Sequence, residues 1–309
     1  MEVIVGLHNV KPRHKGAVIT FGNFDGVHHG HQMLLAHLSA KARELDAPSM
    51  LVTFEPQPAE FLNREKSPVP ARLTRFREKI CLLTKTDLTR VLCLSFNERT
   101  RILPAEWVVD EFLHKRLTAR YVVVGDDFRF GEGAKGDYTM LKEAGDRLGF
   151  EVSHMGTLTF DHERVSSTRI RTVLAAGDFS EAAKMLGHEY FIMGRVIYGR
   201  QLGRQLGVPT ANIPLQRYRA ALEGVYAVRV DGLDKPYQGI ANIGVRPTVD
   251  GKKPLLEVHL FDFSQDIYGK LLTVTFEHKI RNERTFESLD ALKERIAEDI
   301  VIARNWFAR

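Results

Sequence analysis

The stretch Val18 to His31, VITFGNFDGVHHGH, leaves this chain few choices of fold. Ala17-Val18-Ile19-Thr20-Phe21 has the β-branched and aromatic character of a short buried strand. Gly22 and Gly26 break it into a turn, and Gly30 opens a helical pattern from Gln32 to Leu45. A strand, a glycine turn and a helix in succession make an anion site, because the unpaired N–H groups and the positive end of the helix dipole face whatever sits above the strand. His28 and His31 flank Gly30 in the spacing HxGH. Imidazole N–H groups placed there can bond phosphate oxygens as charge builds during phosphoryl or nucleotidyl transfer, with no covalent intermediate. HxGH alone reads equally as a tight turn with two surface histidines, but GNFDGVHHGH is a longer and less accidental pattern.

The same alternation continues through the first half. Met50–Phe54 reads as a second buried strand, stopped by Pro56 and Pro58. Leu73–Thr84 has helical spacing, Val91–Leu94 reads as a strand, Pro104 opens a helix through Leu117, and Tyr121–Val124 is a further apolar strand. Short strands alternating with longer helices predict a parallel sheet covered on both faces, a doubly wound nucleotide-binding domain with ligands at the carboxyl ends of its strands. Two more loops are expected at those ends. One is Gly125–Gly131, GDDFRFG, whose carboxylates, arginine and aromatics could hold a planar ring and a phosphate, or equally form a solvated turn with a hydrophobic plug. The other is Val165–Arg171, VSSTRIR, where Ser166 or Ser167 is first an N-cap, while Thr168 and Arg171 share the first helical turn and would suit a triphosphate.

Beyond Leu186-Gly187 the texture changes to short alternating runs, Tyr190–Ile197, Gly224–Val230, Gln238–Ile243, Leu255–Phe263 and Leu271–His278, which predict an antiparallel barrel or sandwich. A final helix, capped by Ser288, runs from Leu289 to about Ala303. In GRQLGVPTAN, Pro209 fixes the entry to an extended segment, so Thr210 and Asn212 point to one side as hard oxygen ligands of the kind Mg²⁺ accepts beside nucleotide phosphates. The alternative is a turn in which Asn212 bonds its own backbone. In Leu255–Phe261 the apolar residues Leu256, Val258 and Leu260 face the core. Glu257 and His259 then face outward, Glu257 as a candidate general base or as an ordinary solvated carboxylate. Ile240–Thr248, IANIGVRPT, reads as a binding loop.

Composition narrows the class. At 309 residues, 44% hydrophobic and 27% charged, the chain is an ordinary globular protein of two-domain length. Its net charge of +5 is scattered, as suits phosphorylated small molecules, and no nucleic-acid tract stands out. Cys81 and Cys93 lack metal-ligand spacing and read as reduced core residues of a cytoplasmic protein. No signal peptide and no run of about 18 apolar residues is present, so no membrane association is expected.

Taken in order, GNFDGVHHGH, GDDFRFG, SSTRIR, GRQLGVPTAN, ANIGVRPT and LEVHLFDF resemble the bacterial bifunctional riboflavin kinase and FAD synthetase family across nearly the whole chain. The resemblance implies an α/β plus β architecture. Residues 1–186 would form a Rossmann-like FMN adenylyltransferase domain, and 187–309 a riboflavin kinase β-barrel with a terminal helix. It implies ATP and Mg²⁺, with riboflavin, FMN and FAD as ligands, and weak self-association. By motif, His28 and His31 would serve the ATP phosphates, with Gly22, Asn23, Phe24, Asp25, Gly30, Ser167, Thr168 and Arg171 also binding ATP. Asp127, Phe128, Arg129 and Arg246 would hold flavin. In the barrel, Gly203 and Arg204 would bind ATP, Thr210 and Asn212 the metal, and Glu257 would deprotonate the ribityl hydroxyl. No G-x-x-x-x-G-K-[ST] loop occurs, so phosphate binding in the barrel would rest on metal, backbone N–H groups and positioning. The rival readings are a nucleotidylyltransferase acting on another phosphorylated acceptor, and a flavin or nucleotide carrier.

Overall fold

The computed structural model describes residues 1–63, 69–156, 159–160, 163–199, 203, 206–248 and 251–309. By contact the chain divides into two compact units, one of residues 1–70 and 79–166, the other of 71–78 and 167–309.

The first unit is built on six parallel strands: β1 (Glu2–Val5), β2 (Val18–Phe21), β3 (Ser49–Glu55), β4 (Arg90–Ser95), β5 (Tyr121–Gly125) and β6 (Glu151–Met155). Their order across the sheet is β1-β4-β3-β2-β5-β6. Val18–Phe21 is fully buried, as its unbroken apolar character requires of a central strand covered on both faces. The helix α1 (His29–Glu44) starts three residues earlier than the periodicity predicts, because His28 serves as its N-cap. It lays Leu34, Leu35, Leu38 and Ala42 on the sheet, while α2 (Phe76–Leu83) and α3 (Tyr138–Leu148) follow further along the chain. Strand order reverses between β2 and β5. The carboxyl ends of these two strands flank the topological switch point, where open α/β sheets bind ligands. The two loops that leave there are GNFDGVHHGH and GDDFRFG.

Two expectations for this half are corrected. The loop Val165–Arg171 does not leave a strand of the main sheet; it follows a two-stranded antiparallel hairpin, β7 (Thr159–Phe160) with β8 (Glu163–Arg164). The sheet also has edge strands β1 and β6, outside the expected set; β1 has only the short run Val3-Ile4-Val5 and β6 has none.

The second unit begins with α4 (Ser167–Ala176) and α5 (Phe179–Leu186), the latter ended by Gly187 in the left-handed conformation. Six antiparallel strands follow: β9 (Phe191–Arg195), β10 (Ala211–Pro214), β11 (Gly224–Asp231), β12 (Tyr237–Thr248), β13 (Gly251–Leu260) and β14 (Leu271–Arg281). Their order is β10-β13-β12-β11-β14-β9, and a bridge between Ile197 and Asn212 joins the two ends into a barrel. The expected loop Ile240–Thr248 is instead the body of β12, paired along its length with β13; its glycine and proline sit inside a hairpin ladder. α6 (Leu289–Phe307), capped by the Ser288 hydroxyl, packs Ile296, Ile300 and Ala303 against Ala227, Ile240 and Phe261 of the barrel.

Residues 71–78 join this unit through a fully buried ion pair. Arg217 Nη2 donates to both Glu78 oxygens at 2.9 and 3.0 Å, Glu78 also accepts from the backbone N–H of Met193, and Arg217 Nη1 donates to the carbonyls of Arg72 and Leu73. Removing one partner of such a pair strands a desolvated charge. Glu78→Ala is therefore expected to lower the stability of the second unit by about 3–5 kcal/mol. Urea unfolding measures this, and a loss under about 1 kcal/mol contradicts it.

Candidate active sites, one in each unit

In the first unit, the turn after β2 is held by an uncommon backbone. Phe24 (φ 48°) and Val27 (φ 45°) both adopt the left-handed region, a strained choice for such side chains that is maintained by burial of both. A side chain at Gly22 would meet the Phe24 ring at 2.8 Å, so glycine is needed there. The result is a three-ring stack: Phe24 lies on His31 with centroids 4.5 Å apart, and His31 lies on His28 at 3.6 Å and 17°. Both imidazoles are thereby locked in orientation. His28 Nδ1 accepts the backbone N–H of His31 at 3.4 Å, so the neutral ring carries its proton on Nε2 and presents a donor away from the helix. His31 Nδ1 is buried without a hydrogen-bond partner among the described residues.

Burial is the main reason that the His28 pKa falls to about 4, with Asp25 opposing and Arg164 and His29 adding to the shift. Burial also holds His31 well below the usual histidine range, helped by His28 and Lys79. Both rings are uncharged donors at neutral pH. Because the folded pKa of His28 lies below the unfolded value, the stability it contributes is present above about pH 6.5 and is lost as pH falls towards 4.

The remaining residues assigned to this half stand as follows. Phe24 and Asp25 are buried; Asn23 is partly exposed. Asp127 is paired with Arg164 at 2.6 Å, Phe128 turns inward between Phe21 and Phe130, and Arg129 donates to the Phe128 carbonyl. Ser167 and Thr168 open α4, which belongs to the second unit, where Arg171 Nε donates to the carbonyl of Ala71.

The second unit holds a cavity of about 310 Å³. Register explains four of its lining residues, Glu257, Asn242, Val225 and Arg281. Asn212 of β10 pairs with Glu257 of β13, Glu257 with Asn242 of β12, Asn242 with Val225 of β11, and Val225 with Arg281 of β14. Directly paired residues share a sheet face, so one row runs amide, carboxylate, amide, valine, guanidinium across five strands. Thr210, Gly203 and His259 also line the cavity, and Phe286, Leu292 and Ile296 supply apolar lining. Arg281 is fixed by Asp299, its Nε donating at 2.8 Å to a carboxylate that is 1% exposed. His259 Nδ1 lies 2.9 Å from the Pro209 carbonyl and braces the segment leading to Thr210.

The geometry of Asn212 leaves both readings of its motif open. Its amide Nδ2 donates to the Thr210 carbonyl at 3.2 Å, as a self-bonding turn requires. That bond leaves Oδ1 buried and without a partner among the described residues. A side chain at Gly199 would meet the Asn212 amide at 2.5–2.7 Å, so this neighbour too is fixed as glycine. Among the described residues no three His, Cys, Asp or Glu side chains cluster as a metal cage. A hydroxyl and a spare amide oxygen fit Mg²⁺, which takes few protein ligands and completes its shell with phosphates and water. Arg204 lies outside the described residues. Arg246 occupies β12 opposite Lys253, and its side chain is likewise outside them. Asn242, Arg281 and Phe286 are cavity residues that motif reading missed, because only strand register brings them to Glu257.

Each unit thus holds a candidate phosphate site, and neither contains a Walker loop, the arrangement expected of a nucleotide-dependent transferase with two active centres. The FAD synthetase family model matches residues 10–169, and the riboflavin kinase model residues 186–307. A bifunctional riboflavin kinase/FMN adenylyltransferase of Pseudomonas fluorescens is 49% identical over 305 residues, covering 98% of this chain and 97% of its own. Its counterpart from Escherichia coli K12 is 46% identical over 309 residues, covering 99% and 98%. A crystal structure described as a macrolide-efflux protein from Streptococcus pneumoniae matches with a TM-score of 0.77 and 30% identity over 99% of this chain and 100% of that one. The chain belongs to the bifunctional riboflavin kinase/FMN adenylyltransferase family. Among the described residues no helix is long and apolar enough to cross a membrane.

Proposed function

We propose that the barrel transfers the γ-phosphate of ATP to riboflavin, giving FMN, and that the parallel-sheet domain transfers AMP from a second ATP to FMN, giving FAD and pyrophosphate. The observation that carries this reading is that each unit has its own phosphate-directed site, a locked histidine stack in one and an amide–carboxylate–amide row in the other. We assign residues 1–186 to the adenylyltransferase and 187–309 to the kinase.

In the kinase, Glu257 takes the proton of the terminal ribityl hydroxyl as its oxygen bonds to the γ-phosphorus, and ADP leaves with the electrons of the broken P–O bond. Thr210 and Asn212 would hold Mg²⁺, which offsets charge on the phosphates. Arg281, held by Asp299, and the wall of Phe286, Leu292 and Ile296 support the isoalloxazine ring. Gly203 and Arg204 are assigned to the nucleotide and Arg246 to the flavin by motif alone.

In the adenylyltransferase, a phosphate oxygen of FMN bonds to the α-phosphorus and the bond to the β-phosphate breaks. His28 and His31 donate N–H bonds to oxygens that gain charge, without accepting a proton. The Gly22–Asp25 turn and Gly30 present backbone N–H groups to the same nucleotide, Ser167, Thr168 and Arg171 add further phosphate contacts, and Asp127, Phe128 and Arg129 border the flavin. A cytoplasmic setting and weak self-association complete the proposal.

The test is a chromatographic one. The protein with riboflavin, ATP and MgCl₂ is expected to produce FMN first and FAD later, and with FMN and ATP to produce FAD alone. Conversion of FMN to FAD with no FMN from riboflavin would remove the kinase assignment, and no turnover of either flavin would leave a carrier.

A further inference from the structure

Asn242, within the Ile240–Thr248 stretch read as a binding loop, is a second amide with a buried and unused acceptor, and no role of its own has yet been given to it. It lines the barrel cavity and pairs with Glu257 on the side opposite Asn212. The Asn242 amide favours the ionised form of the Glu283 carboxylate, which lines the same cavity. Glu283 reaches over β12 beside Gly244, where any side chain would strike its carboxylate at 2.1 Å. A carboxylate only accepts, so Nδ2 is the end of the amide that suits Glu283. Oδ1 is buried and has no partner among the described residues. A structural pad for Glu283 needs only the Nδ2 end. A buried acceptor left without a donor opposes folding, which makes it informative in a residue that lines a ligand cavity.

The order of the row gives this acceptor a direction. In-line transfer sets the attacking hydroxyl opposite the departing ADP. With metal and phosphates on the Asn212 side and the reacting hydroxyl at Glu257, the rest of the acceptor chain extends away from Asn212, over Asn242. Cross-strand neighbours lie about 4.5–5.5 Å apart at Cβ, within reach of the hydroxyl next along a polyol.

We infer that Asn242 is a specificity-determining residue of the kinase site, its Oδ1 accepting a hydrogen bond from the ribityl hydroxyl adjacent to the one phosphorylated. The inference rests on the kinase reading above and names the part of the acceptor that the row recognises. A site built to bond a hydroxyl discriminates against the analogue lacking it.

The experiment compares riboflavin with 4′-deoxyriboflavin in the wild-type chain, Asn242→Ala and Asn242→Thr, with the unfolding transition of each variant recorded. The wild type is expected to lose about 10- to 100-fold in kcat/KM on the 4′-deoxy compound. Asn242→Ala is expected to lose a similar factor on riboflavin and little more on the analogue. An analogue penalty in the variants equal to that of the wild type overturns the inference. If neither variant folds, the wild type alone decides: 4′-deoxyriboflavin is expected to be the poorer substrate compared with 2′-deoxyriboflavin, and equal rates for both overturn it. Absence of FMN formation from riboflavin by the wild type would instead refute the kinase reading itself.

Discussion

Replacing His28 and His31 together by alanine is expected to reduce FAD formation from FMN by at least about 10³-fold, while FMN formation from riboflavin stays within about twofold of wild type. A single preset donor to a developing oxyanion contributes about 10²–10³ in rate, and the stacked pair presents two. Selectivity follows because the pair belongs to the first unit and the barrel row to the second. His28 also caps α1, so alanine removes a helix cap. His28→Asn keeps a cap acceptor but no imidazole, and its FAD-forming activity is expected to fall even where the unfolding transition is unchanged. Both imidazoles are uncharged near neutral pH, so the FAD-forming rate is expected to show no ionisation of this pair between about pH 6 and 8 in the free enzyme. Equal loss of both activities in the double variant would mean that the two reactions share machinery.

The complementary expectation concerns Glu257. Glu257→Gln fills the same space on β13 between Asn212 and Asn242 but cannot accept the hydroxyl proton. A positioned general base contributes about 10²–10⁴, so FMN formation is expected to fall by that factor, with FAD formation from added FMN retained. The loss is expected in kcat with KM for riboflavin nearly unchanged, because the acceptor-binding wall of Phe286, Leu292 and Ile296 is untouched. A rise in KM at constant kcat would make Glu257 a binding residue and move the base elsewhere.

Much of this was legible in the chain before any coordinates, and the exceptions have identifiable causes. Val18–Phe21 and Tyr121–Val124 are buried on both faces, so their apolar runs announced a parallel sheet, and the two loops at its switch point were found with them. Strands β1 and β6 lie at the sheet edges and are only partly covered, with Ile4 and Val152 as the sole buried residue of each; the run Val3-Ile4-Val5 is too short to mark a strand by itself, and β6 has no run. In β12, Gly244 and Pro247 look like punctuation. They are tolerated because Gly244 makes room for Glu283, and Pro247 lies near the hairpin end of the ladder opposite Lys252. Motif spacing could pair Thr210 with Asn212, two residues apart, and could place Glu257 outward. It could not bring Asn242 and Arg281 beside Glu257, because that neighbourhood is a matter of register between strands far apart in sequence. The histidine stack was hidden for a related reason. Its order depends on left-handed backbone at Phe24 and Val27, residue types that give no warning of it.

The most direct test is a crystal structure of the chain with riboflavin and a non-hydrolysable ATP analogue. Two triphosphates are expected, one over the N-terminus of α1 against His28 and His31, the other in the barrel with its Mg²⁺ on Thr210 and Asn212 and the ribityl chain passing Glu257. Density for a single triphosphate serving both sets of residues, or for none at either, would contradict the account.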